Sequence, residues 1–158
     1  MKKFLLFSLI TVLAISCGSS GSGENKQPAT TPETSKSADA NPSYDQKRGE
    51  GKFTKVEVGA TLDIAKADAG SKVYTVKCSA CHKLTDEKLV GPGWKGVTSR
   101  HSPEWIMNFA TNPDVMIDKD PKAQAMLELC LVRMPNQNLS DDDARNIFEF
   151  MRQNDGVK

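Results

Sequence analysis

Histidine occurs only twice in these 158 residues, at positions 82 and 101. Neither stands in a recognisable set with serine and aspartate. No carboxylate pair and no glycine-rich phosphate loop offers another route to bond chemistry. Charge of one sign is scarce as well. The formal net charge is +1, and acids and bases nearly balance from residue 61 onward. That argues against nucleic acid as a partner, and no sustained acidic face predicts a basic one. Aromatic residues make up 6% of the chain. There is no internal repeat, and nothing beyond the first residues reads as a membrane-spanning run.

The first residues are different. In "MKKFLLFSLITVLAISC" two lysines precede an apolar run, Phe4 to Ile15, too short to span a bilayer comfortably. This pattern predicts a signal peptide over 1–16. Cys17 resembles the lipidation cysteine of bacterial lipoproteins, although Ala14 stands where such sites favour leucine. Ordinary secretion is the alternative. Both readings put the mature protein outside the cytoplasm, in the periplasm or at the cell surface, and lipidation would fix it to a membrane. Residues 17–51 form the lipidated N-terminus and a linker rich in Gly, Ser, Thr, Pro and Asn. Such a composition cannot bury enough surface to offset its chain entropy. A flexible tether of this length has a root-mean-square span of about 35 Å. The folded domain is expected over 52–158, with "KFTKVEVG" as a short strand or an extended arm.

The chemistry concentrates in "VKCSACHKL", Val76 to Leu84. A redox dithiol needs only C-x-x-C and usually sits in a βαβ context. Structural zinc takes four ligands, normally as two separated pairs. Covalent haem attachment uses C-x-x-C-H whole. In that case Cys78 and Cys81 would form thioethers to the vinyl groups, and His82 would be the proximal iron ligand.

The surrounding pattern is helical. In "TLDIAKADAGSKVYTVKCSACH" Leu62, Ala65, Ala69, Val73, Val76 and Ala80 recur at helical spacing. Gly70 lowers helix propensity, and close approach of another helix would explain it. "KLTDEKLVGPGWKGVTSR" reads as loop. "SPEWIMNFATNP" reads as a helix capped by Ser102, begun by Pro103 and ended by Asn112-Pro113. "DPKAQAMLELCLVRMP" is another, capped by Asp120 and stopping before Pro135. The last, "SDDDARNIFEFMRQNDG", pairs Ser140 with Asp143 in a capping box. The domain is thus expected to be all-α, about four helices, with a modest apolar inventory that a large apolar cofactor would complete.

On these residues the domain resembles a small class I, monohaem c-type cytochrome, over about Leu62 to Asn154. Gly70 and Tyr74 match that family's helix-crossing glycine and aromatic, and Ile147 and Phe150 match their partners on the C-terminal helix. Gly91-Pro92 matches a glycine-proline whose proline carbonyl accepts a hydrogen bond from the proximal histidine, here His82. "RMPNQNLSDDDARNIFEFM" resembles the distal methionine loop and final helix. The insert "DVMIDKDPKAQAMLELCLV" and a free Cys130 depart from the pattern. The resemblance implies one covalent haem c. Arg100 and Trp105 would touch its propionates, as loop arginines and ring N–H donors do in related cytochromes.

Met134, in a loop stiffened by Pro135, is the leading candidate for the distal ligand, with Met116 second in another loop. Met107, Met126 and Met151 read as core filler, His101 as solvated, and Cys130 as a buried small hydrophobe. His/Met ligation would saturate the iron and raise its potential. The function expected is electron transfer between extracytoplasmic redox proteins, not enzymatic catalysis. A haem subunit of a periplasmic oxidoreductase and a haem-based ligand sensor are the alternatives.

Overall fold

The computed structural model describes residues 44–158. The expected signal peptide over 1–16 and Cys17 lie outside the described residues. Within them the chain forms six helices: α1 (Ile64–Lys77), α2 (Val97–Arg100), α3 (Pro103–Thr111), α4 (Pro113–Lys119), α5 (Pro121–Cys130) and α6 (Asp141–Asn154). The all-α expectation holds, with two helices more than the four foreseen. No described helix is long and apolar enough to cross a membrane.

Three of the starts follow from the caps expected from the sequence. Ser102 accepts from the Trp105 N–H, Asp120 from that of Ala123, and Ser140 exchanges bonds with Asp143 in a capping box. Each supplies an acceptor to an N–H that has no intrahelical partner. Three aspartates in the first turn of α6 also sit at the positive end of its dipole.

The two unforeseen helices lie in segments read as loop. Asn112-Pro113 ends α3 and at once begins α4, because proline fits a first helical turn. Met116, expected in a loop, is therefore helical. Helix α2 is capped from a distance: Asp155 accepts from the N–H groups of Gly96 (2.5 Å) and Thr98 (2.9 Å).

Helices α1 and α6 cross at Gly70. A Cβ there would overlap the Asn146 carbonyl oxygen and lie 2.6 Å from its carbon and 2.9 Å from Phe150 Cβ. Tyr74 covers the crossing, its ring 5.4 Å from that of Phe150 and 5.0 Å from that of Trp94. The buried line on α1 runs through Ala67 and Gly70, not along the stripe of Leu62, Ala65 and Val76. Val76 is 82% exposed, since contact here is chosen by shape more than by hydrophobicity. Gly70→Ala is expected to lower the melting temperature. The ~1 kcal/mol gain in helix propensity is outweighed by overpacking, which costs typically about 1–3 kcal/mol and more against rigid backbone. A melting temperature at or above the parent's would show that the helices can separate freely.

Residues 52–60 form an extended arm rather than a strand. Phe53, Val56 and Val58 pack against the core. Residues 44–51, assigned to the linker by composition, also lie on the domain. Tyr44 bonds Asp120, and Ser102 Oγ donates to the Lys47 carbonyl at 2.6 Å. The fully buried Asn108 donates to the carbonyls of Arg48 and Phe53 (both 3.0 Å) and accepts from the Phe53 N–H (2.9 Å). The segment is held by specific polar contacts, which composition does not reveal.

Candidate haem site

Helix α1 ends at Lys77, and the next five residues carry both thiols and the imidazole. The turn is closed by backbone bonds from Cys81 and His82 to the Cys78 carbonyl (3.0 and 2.9 Å). Loop 83–93 then folds back over it. Val90 and Gly91 donate to the Cys81 carbonyl at 3.2 and 2.9 Å. Tyr74 Oη donates to the His82 carbonyl at 2.7 Å, so the helix crossing also fixes the histidine backbone.

The imidazole itself is oriented by Pro92, whose carbonyl oxygen lies 2.9 Å from His82 Nδ1. A carbonyl only accepts, so Nδ1 carries the proton and Nε2 keeps its lone pair. The close approach needs Gly91: a Cβ there would sit 2.8 Å from Nδ1 and 2.9 Å from Nε2. Burial pushes the His82 pKa down, and the Pro92 contact pulls it partly back. The ring is thus neutral and able to ligate at pH 7.

Cys78 is buried and Cys81 half-buried, and neither is in a disulfide. Burial pushes the Cys78 thiol up to about 11. A thiol so protonated is a poor redox nucleophile, since the thiolate is the reactive form. Among the described residues no three His, Cys, Asp or Glu side chains gather as a metal site would require. The dithiol and zinc readings lose their support.

What the motif faces is a cavity of about 520 Å³, well within the size range of cofactor sites, roughly 300–1,000 Å³. Cys78, Cys81, His82, Pro92, Arg100, Trp105 and Met134 all line it. Most of the remaining wall is apolar, with Ile106, Phe109, Ile117, Leu127, Ile147 and Met151 among its members. Met134 lies half-buried in the irregular stretch between α5 and α6. That loop is tied to the end of α1 by Lys77 Nζ, which donates to the Gln137 carbonyl at 3.0 Å. The residues present therefore fit a large planar apolar group held by two thiols, an imidazole and a thioether.

Other expected residues fall differently. Met116 is fully buried outside the cavity, its sulfur accepting from the Glu50 N–H at 3.1 Å. Met107 is core, whereas Met126 and Met151 reach the cavity wall. Cys130 is half-buried on that wall rather than sealed in the core. Arg100 lines the cavity and bonds the Lys95 carbonyl at 2.6 Å. Trp105 Nε1 donates to Asp120 Oδ2 at 3.0 Å. Trp105 itself lines the cavity.

His101 is not solvated. Its ring stacks on Trp105 with centroids 3.9 Å apart, and it lines the cavity. A histidine between arginine and serine reads locally as surface, and only its stacking on Trp105 of α3 turns it inward.

Comparison with known proteins agrees with a haem-binding domain. The family model described as cytochrome c matches residues 67–155. The chain is similar to a solved cytochrome c from Rhodothermus marinus, with 35% identity and a TM-score of 0.64 over 66% of this chain and 90% of that one. It is also similar to an engineered cytochrome c from the same organism, at 34% identity, TM-score 0.64 and the same coverage. A form of that engineered protein bound to a carbene intermediate matches at 34% identity and TM-score 0.61, again over 66% of this chain and 90% of that one. No curated protein matches the chain. The chain belongs to the cytochrome c family, and with that membership come one covalently bound haem c and the role of a haem-based electron carrier.

Proposed function

We propose that this protein is a lipid-anchored, extracytoplasmic electron shuttle with His/Met axial ligation. Cys78 and Cys81 would carry the thioethers, and His82, through Nε2, and Met134 would hold the iron. Bound haem c supplies a one-electron Fe(III)/Fe(II) couple. The observation that carries the reading is the polarity of His82: with Nδ1–H held by Pro92, Nε2 is left as a lone-pair donor. That contact fixes the tautomer and makes the ring more basic. The thioether of Met134 is soft and favours the reduced state. The apolar wall keeps water out, which disfavours the more highly charged oxidised state and raises the potential further. With His82 and Met134 both on the iron, no position would be left for a substrate. Cys17, behind an apolar run and ahead of a polar linker, is the lipidation site, and the redox partners are proteins reached by the tethered domain.

The test uses the mature protein. Haem should resist acid–acetone extraction and give a pyridine haemochrome spectrum of the two-thioether type. The reduced protein should bind no carbon monoxide at neutral pH. Freely extracted haem would remove the two-thioether reading, and carbon monoxide binding would indicate an open position suited to a sensor or an enzyme. A fatty-acid analogue should label the wild type but not Cys17→Ser. Equal labelling of both would leave the protein secreted or anchored otherwise.

A further inference from the structure

We infer that Arg133 is a positioning residue for the distal iron ligand: its guanidinium, tied to Asp114 and Asp118 of α4, keeps Met134 on the iron and other ligands off it. The inference rests on the His/Met reading above.

The stretch that leads to Met134 has little apolar holding. Of α5 only Ala123 is buried, with Met126 and Leu127 half-buried. The helix ends at Leu131, whose φ of 61° lies in the left-handed region. Leucine rarely adopts it, because Cβ then crowds the following carbonyl. Burial does not compensate: Leu129, Leu131 and Val132 are 72%, 84% and 54% exposed. Neither backbone preference nor packing of these residues fixes the path of the chain after α5. Among the described residues, the only side-chain hydrogen bonds from 131–136 to another element are those of Arg133.

Those bonds reach a rigid anchor. Arg133 Nη2 donates to Asp118 Oδ1 at 2.9 Å and lies 3.5 Å from Asp114 Oδ1 and from the Asp114 carbonyl oxygen. Asp114 and Asp118 stand four residues apart on α4, so they share a face and one guanidinium meets both. The other side of α4 is locked in the core through Pro113, Met116 and Ile117, all buried, and Ile117 lines the cavity. Arg133 is also the immediate chain neighbour of Met134, so a tie there limits the thioether directly. Lys88 Nζ donates to the Leu129 carbonyl at 2.8 Å, and Lys77 Nζ to that of Gln137 at 3.0 Å. These two bonds hold the stretch only at its ends.

The consequence is a competition at the iron. In an exchange with added imidazole the thioether leaves with its lone pair and the imidazole nitrogen supplies its own, with no electron transferred. The incoming ligand binds only when the loop is open, so its apparent affinity scales with the open fraction. An exposed ion pair shifts such an equilibrium by up to about fivefold. Two carboxylates on one guanidinium together hold the open fraction down on the order of tenfold. All three side chains face water, so salt weakens the tie. The Debye length falls from about 30 Å at 0.01 M to about 3 Å at 1 M.

The experiment titrates the oxidised, full-length holoprotein with imidazole and follows loss of the far-red sulfur-to-iron band. At low salt Arg133→Gln should bind imidazole about tenfold more tightly than the wild type, with helix content unchanged. Arg133→Lys keeps the charge without the planar fork and should fall between them. Asp118→Asn should reproduce part of the gain and add little to Arg133→Gln, as expected of groups acting through one contact. Lys55→Gln, which breaks the exposed Lys55–Glu57 pair on the N-terminal arm, should match the wild type. High salt should tighten imidazole binding to the wild type and leave Arg133→Gln unchanged. Equal affinities for the wild type and Arg133→Gln would overturn the inference, as would full additivity with Asp118→Asn. So would a wild-type affinity indifferent to salt, a measurement that needs no variant to fold. An oxidised wild type without the far-red band would overturn both this inference and the His/Met reading beneath it.

Discussion

Met134→Ala is expected to abolish the weak far-red sulfur-to-iron charge-transfer band of the oxidised protein and to let carbon monoxide bind the reduced form. The potential should fall by on the order of 100 mV or more, within the ~0.8 V range that axial ligands span. The reason is geometric and chemical together. Met134 lines the same cavity as His82, and its loop is held by Pro135 next to it and by the Lys77–Gln137 bond. Met134→His should keep both axial positions filled but lower the potential, since imidazole favours Fe(III) more than a thioether does. Met116→Ala is the matched control. It should leave the band, the carbon monoxide behaviour and the potential unchanged, because Met116 lies outside the cavity. It should still cost about 2–5 kcal/mol of stability, as buried methionine truncations do. The converse pattern, with the band lost in Met116→Ala and kept in Met134→Ala, would refute the distal assignment and leave the electron carrier intact. A band unaltered by either substitution would remove the His/Met reading.

The double variant Cys78→Ser, Cys81→Ser should yield a chain that is largely unfolded when exported and purified. The cavity of about 520 Å³ lies amid the core residues Trp105, Ile106, Ile117 and Ile147. At ~24 cal/mol per Å³, leaving it empty costs on the order of 10 kcal/mol, as large as the entire stability of a typical domain, about 5–15 kcal/mol. Circular dichroism should show helix content well below the wild type's, and any haem that remains should extract into acid–acetone. A double variant with wild-type helix content and melting temperature would show that the helices pack without the covalent group.

What could be read in advance was what is encoded nearby. Ser102-Pro103, Asp120-Pro121 and Ser140 with Asp143 announce helix starts within four residues. The attachment motif lies in five consecutive residues, and Gly70 raised the question that Asn146 answers. What escaped depends on distant contacts. Helix α2 has its acceptor at Asp155, 57 residues from Thr98. His101 looks solvated until Trp105 is folded beneath it. Asp120 reads as a helix cap, and nothing local shows that the same carboxylate also takes the Trp105 N–H. The segment 44–51 has the composition of a tether and is held by the buried amide of Asn108. Its polar residues gave no apolar signal by which docking could be foreseen.

The pairing of α1 with α6 has a temporal meaning. The C-x-x-C-H motif stands at the end of the first of these helices, but the groups that lock that helix, the Asn146 backbone carbonyl and the Phe150 side chain, lie on the last. So do Ile147 and Met151 of the cavity wall, while Asp155, which holds α2 and thereby the approach to His101, follows it directly. A chain emerging from its amino end therefore exposes both thiols well before it has the means to enclose them. Contacts this far apart in sequence also close slowly, because loop-closure entropy comes ahead of their reward. The thiols accordingly stay accessible until α6 has formed and packed. The order of the helices thus separates the two thiols in the chain from the element that closes over them.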